Sequence, residues 1–244
     1  MAAKLKTALI TGAGSGIGRG IARTLDAMGI RLALLGRDAR KLEQTRSELE
    51  HGKISALILS CDVADRGAVE ASVEKALREL GAIDILVCNA GTNVRNRSLE
   101  KLTGEDWDRM VEVNLTGPFN LARCVLPGMR ARQNGLVIQI CSISGIRAST
   151  LGGAGYSASK FGQSALGMCL GREEGTNGIR STVIYPGEVN TPILDARPVP
   201  VSAERKAQIL QPEDIAAAVR FLVELHPRAR VPELVMTPTV DDFC

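Results

Sequence analysis

In the first half of the chain, short apolar runs alternate with longer segments in which apolar residues recur about every three or four positions. The short runs predict strands that are buried on both faces, and the spaced segments predict amphipathic helices. Asp38 is expected to cap the second of these helices. The predicted strands in this half are 5–10, 31–35, 54–59 and 83–88, and a helix follows each of the first three.

The same alternation continues in the second half. Strands are predicted at 136–141, 179–185 and 234–236, and helices at 105–132, 156–174 and 213–225, with Pro212 at the first helical position of the last one. Strands that alternate with helices predict a parallel sheet covered on both faces. We therefore predict the α/β class, with a doubly wound parallel sheet in a single domain over residues 1–244.

Composition and charge narrow the possible partners. The 244 residues carry a formal net charge of +3, with 45% hydrophobic and 23% charged residues, as in a globular protein with ample core. The basic residues are dispersed and no apolar run approaches the length of a membrane span. The N-terminus leads into the first strand without an apolar leader. We therefore expect a cytoplasmic protein with neither nucleic acid nor membrane as partner.

Cysteine and histidine usage bears on metal binding. The six cysteines lie far apart without a CxxC pair, and the chain has only two histidines. Such cysteines are typical of reduced core residues and not of a disulfide framework or a zinc site. No metal is expected.

A glycine-rich segment joins the first predicted strand to the first helix. Thr11 and Gly12 are followed by Gly16 and Gly18, a TGxxxGxG spacing that does not match the generic dinucleotide fingerprint. A turn of this kind brings backbone N–H groups and the positive end of a helix close to a phosphate, with no Cβ in the way. The alternative is a turn that only connects the two elements.

Polar residues follow the later strands, at the sheet edge where ligands of such folds bind. Ser142 follows the fifth strand, and Tyr156 and Lys160 stand four residues apart on the next helix, so that they share one helical face. A tyrosine has a pKa near 10, and a nearby cation favours its phenolate. The pair could therefore act as a general acid and base, and Ser142 could hold a substrate oxygen.

Taken together, these residues resemble the short-chain dehydrogenase/reductase family, over nearly the whole chain from Thr11 to about Leu225. The family has a Rossmann-like fold, and its motifs occur here in the family's order. The matching positions are Thr11, Gly12, Gly16 and Gly18 (cofactor glycines), Asp62-Val63 (adenine contact), Asn89-Ala90-Gly91, Asn114, the catalytic Ser142, Tyr156 and Lys160, and Pro186-Gly187 with Thr191 over the nicotinamide.

The resemblance implies a reaction: a hydride passes between a nicotinamide and a ketone or secondary alcohol. Tyr156 would exchange the proton with the substrate oxygen, Ser142 would orient that oxygen, and Lys160 would lower the tyrosine pKa and hold the ribose. Asn114 would anchor a water that continues the proton relay. We therefore expect a carbonyl reductase that is reversible as an alcohol dehydrogenase. The alternatives are a non-catalytic NAD(P)-binding regulatory or scaffold protein, and a lyase or epimerase.

The end of the second strand predicts which cofactor is used. Gly36 stands where NAD enzymes carry a carboxylate, and Arg37 follows it, so that a 2′-phosphate is not repelled and can be bound. We expect NADP(H) in preference to NAD(H); the alternative is that Asp38 turns inward to serve NAD. The expected cofactor-binding residues are Gly12, Ser15, Gly16, Ile17, Gly18, Arg37, Asp62, Val63, Asn89, Ala90, Gly91, Tyr156, Lys160, Pro186, Gly187, Val189 and Thr191.

The substrate is not defined by these motifs. Residues 189–208 contain three prolines and are expected to form a mobile lid. Arg95, Arg97 and Arg147 lie in loops near the expected pocket, where they could face either an anionic substrate or water. The resemblance also implies a homo-oligomer, a dimer or tetramer, built through helices 105–132 and 156–174.

Overall fold

Seven strands pair in parallel to form one sheet in the computed structural model, which describes residues 5–52 and 55–241. The strands are β1 (Thr7–Thr11), β2 (Arg31–Gly36), β3 (Leu57–Ser60), β4 (Ile85–Cys88), β5 (Gly135–Ile140), β6 (Ile179–Pro186) and β7 (Glu233–Met236). Their order in the sheet is β3-β2-β1-β4-β5-β6-β7. Because β1 pairs with both β2 and β4, the strand order reverses there, and a crevice opens at the carboxyl ends of these strands.

Eight α-helices connect the strands of the described residues. The predicted caps are present: the Asp38 side chain accepts from the N–H groups of Arg40 and Lys41, and Pro212 begins the last helix. The helices are α1 (Gly16–Ala27), α2 (Ala39–Ser47), α3 (Arg66–Leu80), α4 (Gly104–Val111), α5 (Gly117–Arg132), α6 (Ala154–Glu173), α7 (Ala203–Gln208) and α8 (Pro212–Glu224).

The sheet is covered on both faces. Every residue of β1, β4, β5 and β6 is buried. One core cluster packs α1 and α8 against the sheet, with Ile21 and Val219 among its members, and a second packs α3 and α5, with Val73 and Val125. The predicted doubly wound α/β fold in a single domain is confirmed, and apolar runs without alternation are the pattern that such buried strands produce.

The predicted boundaries differ from the structure at several ends. The first strand begins at Thr7 and continues to Thr11, because Thr11 still pairs with Leu35. The third strand is Leu57–Ser60, and Ile54, where the prediction began, lies outside the described residues. The helix predicted over 105–132 is α4 and α5 joined through a π-helical turn, Glu112–Thr116.

The segment predicted as a lid contains a short 3₁₀ helix, Pro192–Ala196, followed by α7. Its mobility stays a prediction. Within residues 5–52 and 55–241, every helix is too short or too polar to cross a bilayer.

Candidate active site

The glycine turn between β1 and α1 depends on its glycines. Gly12 has φ +63° and Gly16 has φ +49°, which is left-handed backbone that favours glycine. A Cβ at Gly18 would overlap the carbonyl oxygen of Gly12, and one at Gly16 would lie 3.0 Å from the Thr191 methyl. The spacing of the motif therefore reflects close packing of the turn against its own helix and against residues after β6.

Thr11 and Asn89 join the turn to the neighbouring strand end. The Thr11 hydroxyl donates to the Val87 carbonyl at 3.2 Å and accepts from the N–H groups of Asn89 and Ala90 at 2.9 and 3.0 Å. The Asn89 amide donates to the carbonyls of Thr11 and Gly12 at 2.9 and 3.3 Å. These bonds tie the segment after β4 to the glycine turn after β1.

A cleft of about 420 Å³ runs from this turn to the end of β5. It brings together most of the predicted site residues, from distant parts of the chain. Those lining it are Gly12, Ser15, Gly16, Ile17, Arg37, Asn89, Ala90, Gly91, Ser142, Tyr156, Lys160, Pro186, Gly187, Val189 and Thr191.

A second cleft of about 220 Å³ continues from the turn past the end of β2 and contains Asp62 and Val63. Although burial alone would raise the pKa of Asp62, the Ala64 N–H and the Arg109 guanidinium, which lies 2.6 Å away, hold it below its ordinary value. Asp62 is thus a fixed carboxylate in the wall of the cleft. The pairing with Arg109 was not predicted from the sequence.

The same cleft carries two basic side chains at the end of β2. Arg37 is exposed beside Gly36, and Lys41, in the first turn of α2, lines the cleft as well. The Asp38 carboxylate accepts from the α2 N-terminus. Lys41 was not predicted as a site residue from the sequence. Its position three residues after the capping Asp38 could have indicated that it lies near the end of β2.

Tyr156, Ser142 and Lys160 meet at the other end of the main cleft. Tyr156 and Lys160 project from the first turns of α6, with Lys160 Nζ 5.8 Å from the centroid of the tyrosine ring. Burial raises the pKa of Tyr156 to about 12, while a hydrogen bond with the Ser142 side chain and the charge of Arg97 oppose that rise. Ser142 therefore faces the phenol, as expected.

The expected lowering of the Tyr156 pKa by Lys160 stays a prediction. Burial is the dominant effect on the phenol, and the cation that opposes it is Arg97. The Lys160 ammonium is instead turned to the Ile140 carbonyl at 3.1 Å and to the Gln163 side chain at 2.7 Å. Burial also lowers the pKa of Lys160 itself.

Asn114 lies behind the cleft wall in the π-helical turn. Its Oδ1 accepts from the Thr92 N–H at 2.8 Å, and its Nδ2 donates to the Thr92 carbonyl at 2.9 Å and to Ser159 Oγ at 3.0 Å. It is fully buried and close behind Gly91. A π-helical turn widens a helix locally and is frequent at functional sites; here it carries Asn114, the asparagine predicted to take part in the proton relay.

A further cavity of about 430 Å³ opens beside Tyr156 toward the predicted lid. Arg97 is buried there and donates to the carbonyls of Val94, Leu151 and Ala196 at 2.8, 2.8 and 2.6 Å, so it ties three segments together. Arg95 and Arg147 are both exposed, and Arg95 donates to the Asp195 carbonyl of the lid at 3.4 Å.

Two ion pairs bind the lid to the end of β6. The Glu188 carboxylate lies 2.6 Å from Arg197 and 2.7 Å from Arg205, and Arg205 also pairs with Asp241. The lid is thus attached to the site by charges that the sequence could not pair in advance.

Comparison with known proteins supports the family. The family model described as short chain dehydrogenase matches residues 6–199. An uncharacterised oxidoreductase of Staphylococcus saprophyticus is 35% identical over 237 residues, which are 96% of this chain and 97% of that protein. The glycine betaine reductase of Emericella nidulans is 35% identical over 243 residues, but the chain spans only 19% of its length.

A solved structure resembles the chain as well. The alcohol dehydrogenase of the archaeon Thermococcus sibiricus, complexed with 5-hydroxy-NADP, has a TM-score of 0.87 and 31% identity, covering 97% of this chain and 98% of that one. The chain belongs to the short-chain dehydrogenase family, and it is an NAD(P)-dependent oxidoreductase.

The site residues fit a nicotinamide dinucleotide. Any Cβ on Gly18 would collide with the turn, and the two clefts share Gly12, Ser15 and Arg37, so that one extended ligand could follow both. The turn lies at the N-terminus of α1, where the backbone favours an anion. The catalytic roles expected for Ser142, Tyr156, Lys160 and Asn114 stay predictions.

Proposed function

We propose that the chain is an NADPH-dependent carbonyl reductase, reversible as an alcohol dehydrogenase, that acts on ketones or secondary alcohols. One observation carries this proposal: the cleft that begins at the glycine turn ends at Ser142, Tyr156 and Lys160. A dinucleotide that lies along this cleft from the turn would place its nicotinamide beside Tyr156, the proposed proton donor.

In the proposed reaction the bound cofactor supplies or accepts the hydride. Tyr156 gives a proton to the carbonyl oxygen in reduction and takes it from the alcohol in oxidation, and Ser142 holds the same oxygen by a hydrogen bond. The Lys160 ammonium supplies positive charge near the phenol and one donor for the ribose. Asn114 holds the backbone of Thr92 in the cleft wall. It also continues the proton relay from Lys160 through a water molecule.

The protein alone raises the pKa of Tyr156 to about 12. A phenol with so high a pKa remains protonated at neutral pH, which suits the donor role in carbonyl reduction. The oxidation direction needs the phenolate and should therefore be favoured by alkaline pH.

The preference for NADPH is proposed from Gly36, Arg37 and Lys41. Two cations near the end of β2 can bind a 2′-phosphate, and no carboxylate replaces Gly36 to bind a ribose hydroxyl. Asp38 also lines this cleft, but its Oδ1 accepts two N–H groups of α2, and this capping role weighs against the alternative that it serves NAD. The similar archaeal enzyme carries a modified NADP.

We also propose that the protein is a homo-oligomer, as a dimer or tetramer. Phe119 on α5 and Phe161 and Met168 on α6 are exposed apolar side chains on the two helices that would form the contact. Size-exclusion chromatography with light scattering tests this, and a monomer at micromolar concentration would contradict it.

The proposed activity is tested with the purified protein, NADPH or NADH, and a panel of ketones and aldehydes of varied size and charge. We expect oxidation of NADPH, followed by its absorbance, to exceed that of NADH with at least one carbonyl. Tight NADPH binding without turnover of any member would favour the non-catalytic alternative. Conversion of a substrate without net NADPH consumption would favour the lyase or epimerase.

A further inference from the structure

Two glutamines lie in the core beneath the proposed site. Gln139 is on β5 and Gln163 is on α6, and both have no exposed surface. A buried amide loses its hydration and is tolerated only when protein groups replace it. Apolar side chains of similar volume would fill this space without that requirement. The presence of two amides here is therefore not explained by core packing.

These amides form a chain that begins at Lys160. Its Nζ donates to Gln163 Oε1 at 2.7 Å, and Gln163 Nε2 donates to Gln139 Oε1 at 3.1 Å. An ammonium can only donate, so it fixes the Gln163 oxygen on its own side and the Gln163 nitrogen on the far side. The direction of each hydrogen bond in the chain follows from that one constraint.

The chain ends at Gln139, which pairs with Cys88 of the neighbouring strand in the sheet register. Gln139 Nε2 is buried and has no conventional partner among the described residues, but it faces the Cys88 thiol and opposes the rise that burial causes in the pKa of that thiol. Both amides thus point their oxygens toward Lys160. Aligned dipoles with the negative end at a cation stabilise its charge, and a buried setting strengthens the effect.

Lys160 needs such support because it is almost fully buried and no carboxylate pairs with it among the described residues. Burial disfavours the ammonium form. The Ile140 carbonyl and Gln163 are the acceptors that hold Nζ, which leaves its third N–H free for the cleft.

We infer that Gln163, supported by Gln139, is a positioning residue that keeps Lys160 charged and directed at the cleft. The inference rests on the proposed function, in which the Lys160 charge assists Tyr156. Gln163 acts through Lys160 and contacts neither substrate nor cofactor in this scheme. Its effect should therefore be seen in the pH dependence of the reaction.

The test compares Gln163→Met, Gln139→Met and Ser164→Ala with the wild type. Ser164 is the matched control, because it is buried on α6 beside Gln163 but bonds Tyr185 at 2.6 Å on the other side. The pH profile of kcat/KM is measured for alcohol oxidation, whose acidic limb reports deprotonation of Tyr156. Thermal unfolding and NADPH fluorescence check that each variant is folded and binds the cofactor.

We expect Gln163→Met to move the midpoint of this limb upward by about one pH unit, with about a tenfold loss of rate at neutral pH. Gln139→Met should give a smaller shift in the same direction, and Ser164→Ala none. A folded, NADPH-binding Gln163→Met with the wild-type midpoint would overturn the inference. If that variant does not fold, an unshifted Gln139→Met overturns it. A wild type without turnover would instead contradict the proposed function.

Discussion

Lys160 Nζ lies 5.8 Å from the centroid of the Tyr156 ring, one helical turn along α6. The ammonium is therefore near the phenol but is held by other acceptors, the Ile140 carbonyl and Gln163. Among the described residues, the hydrogen bonds of Lys160 Nζ run to these two acceptors and not to the phenol, so the structure shows no direct path for a proton from the ammonium to Tyr156. The proton would have to leave from Tyr156 itself.

The first prediction concerns Tyr156 as the proton donor. Tyr156→Phe removes only the phenolic hydroxyl, so we expect kcat for carbonyl reduction to fall by about 100-fold to 10,000-fold, the usual contribution of a general acid. NADPH binding should be retained, because the ring still fills its place in the cleft. Steady-state rates and the fluorescence of bound NADPH measure the two quantities separately.

Tyr185→Phe is the matched control, since the chain has only two tyrosines. Tyr185 is fully buried on β6 and bonds Ser164 and Glu233, away from the cleft. Its replacement should lower stability and leave kcat within about threefold. An active Tyr156→Phe would refute the assigned donor, whereas equal losses in both variants would point to a structural cause.

The second prediction concerns the 2′-phosphate. Arg37→Gln removes a charge at the end of β2, so NADPH affinity should fall by about tenfold to a hundredfold, as for the loss of a charge-assisted hydrogen bond. NADH affinity should change by less than about threefold. Titration of each reduced cofactor by fluorescence gives both dissociation constants.

Arg40→Gln is the control for net charge. Arg40 is three residues away, and its side chain is 97% exposed. Its replacement removes the same charge without removing a cleft residue. If Arg37→Gln and Arg40→Gln weaken NADPH equally, the effect is long-range electrostatics and the proposed phosphate contact is wrong.

The fold could be predicted because most of its strands are buried on both faces. The run Ile85–Cys88, for example, contains no polar residue, and glycine or capping residues mark the ends of the helices between the strands. The ends of the strands were predicted less accurately than their order, because a strand ends where its pairing partner ends and not where its own apolar run ends. Thr11, for example, is polar but pairs with Leu35.

The site could be predicted only as a set of residue types. Ser142, Tyr156 and Lys160 follow from spacing and family resemblance, and the cleft does contain all three. The glutamines beneath Lys160 and the Glu188 ion pairs of the lid could not be predicted, because each joins segments whose contact depends on the completed fold. The π-helical turn around Asn114 could not be predicted either, because the spacing of hydrophobic residues carries no signal for it.

The third prediction concerns the glycine turn. In Gly18→Ala the new Cβ would overlap the Gly12 carbonyl and lie 2.6 Å from the Asn89 amide. We expect a loss of stability of about 1–3 kcal/mol, as for other overpacked sites, together with weaker NADPH binding because the turn must shift. Urea unfolding and cofactor titration measure these effects.

Gly104→Ala is the matched control. Gly104 is the first residue of α4, and a Cβ there would meet nothing within 4 Å. Alanine should be neutral or slightly stabilising at this position, since it favours helix. A Gly18→Ala variant with wild-type stability and NADPH affinity would mean that the turn is not closely packed.

The fourth prediction concerns an ion pair far from the cleft. Arg130 on α5 binds Glu174 through two hydrogen bonds of 2.9 and 2.5 Å, and the Glu174 side chain, 4% exposed, also accepts from Asn177. Arg130 holds the pKa of Glu174 below its ordinary value, although burial alone would raise it. The pair therefore joins α5 to the end of α6.

The sign of the pH dependence follows from that lowered pKa. The Glu174 carboxylate contributes its full stabilisation above the pKa of a glutamate in the unfolded chain. This contribution is lost as the pH falls through the lower pKa that Glu174 has in the folded protein. Arg130→Met leaves a buried carboxylate without its cation, which should cost about 1–3 kcal/mol at pH 7. At pH 4 the difference should shrink, because Glu174 becomes protonated in the variant. Urea unfolding at both pH values measures this. Arg78→Met, on the exposed side of α3, should change stability by less than about 0.5 kcal/mol at either pH. An equal loss at pH 7 and pH 4 for Arg130→Met would show that packing, not charge, joins the two helices.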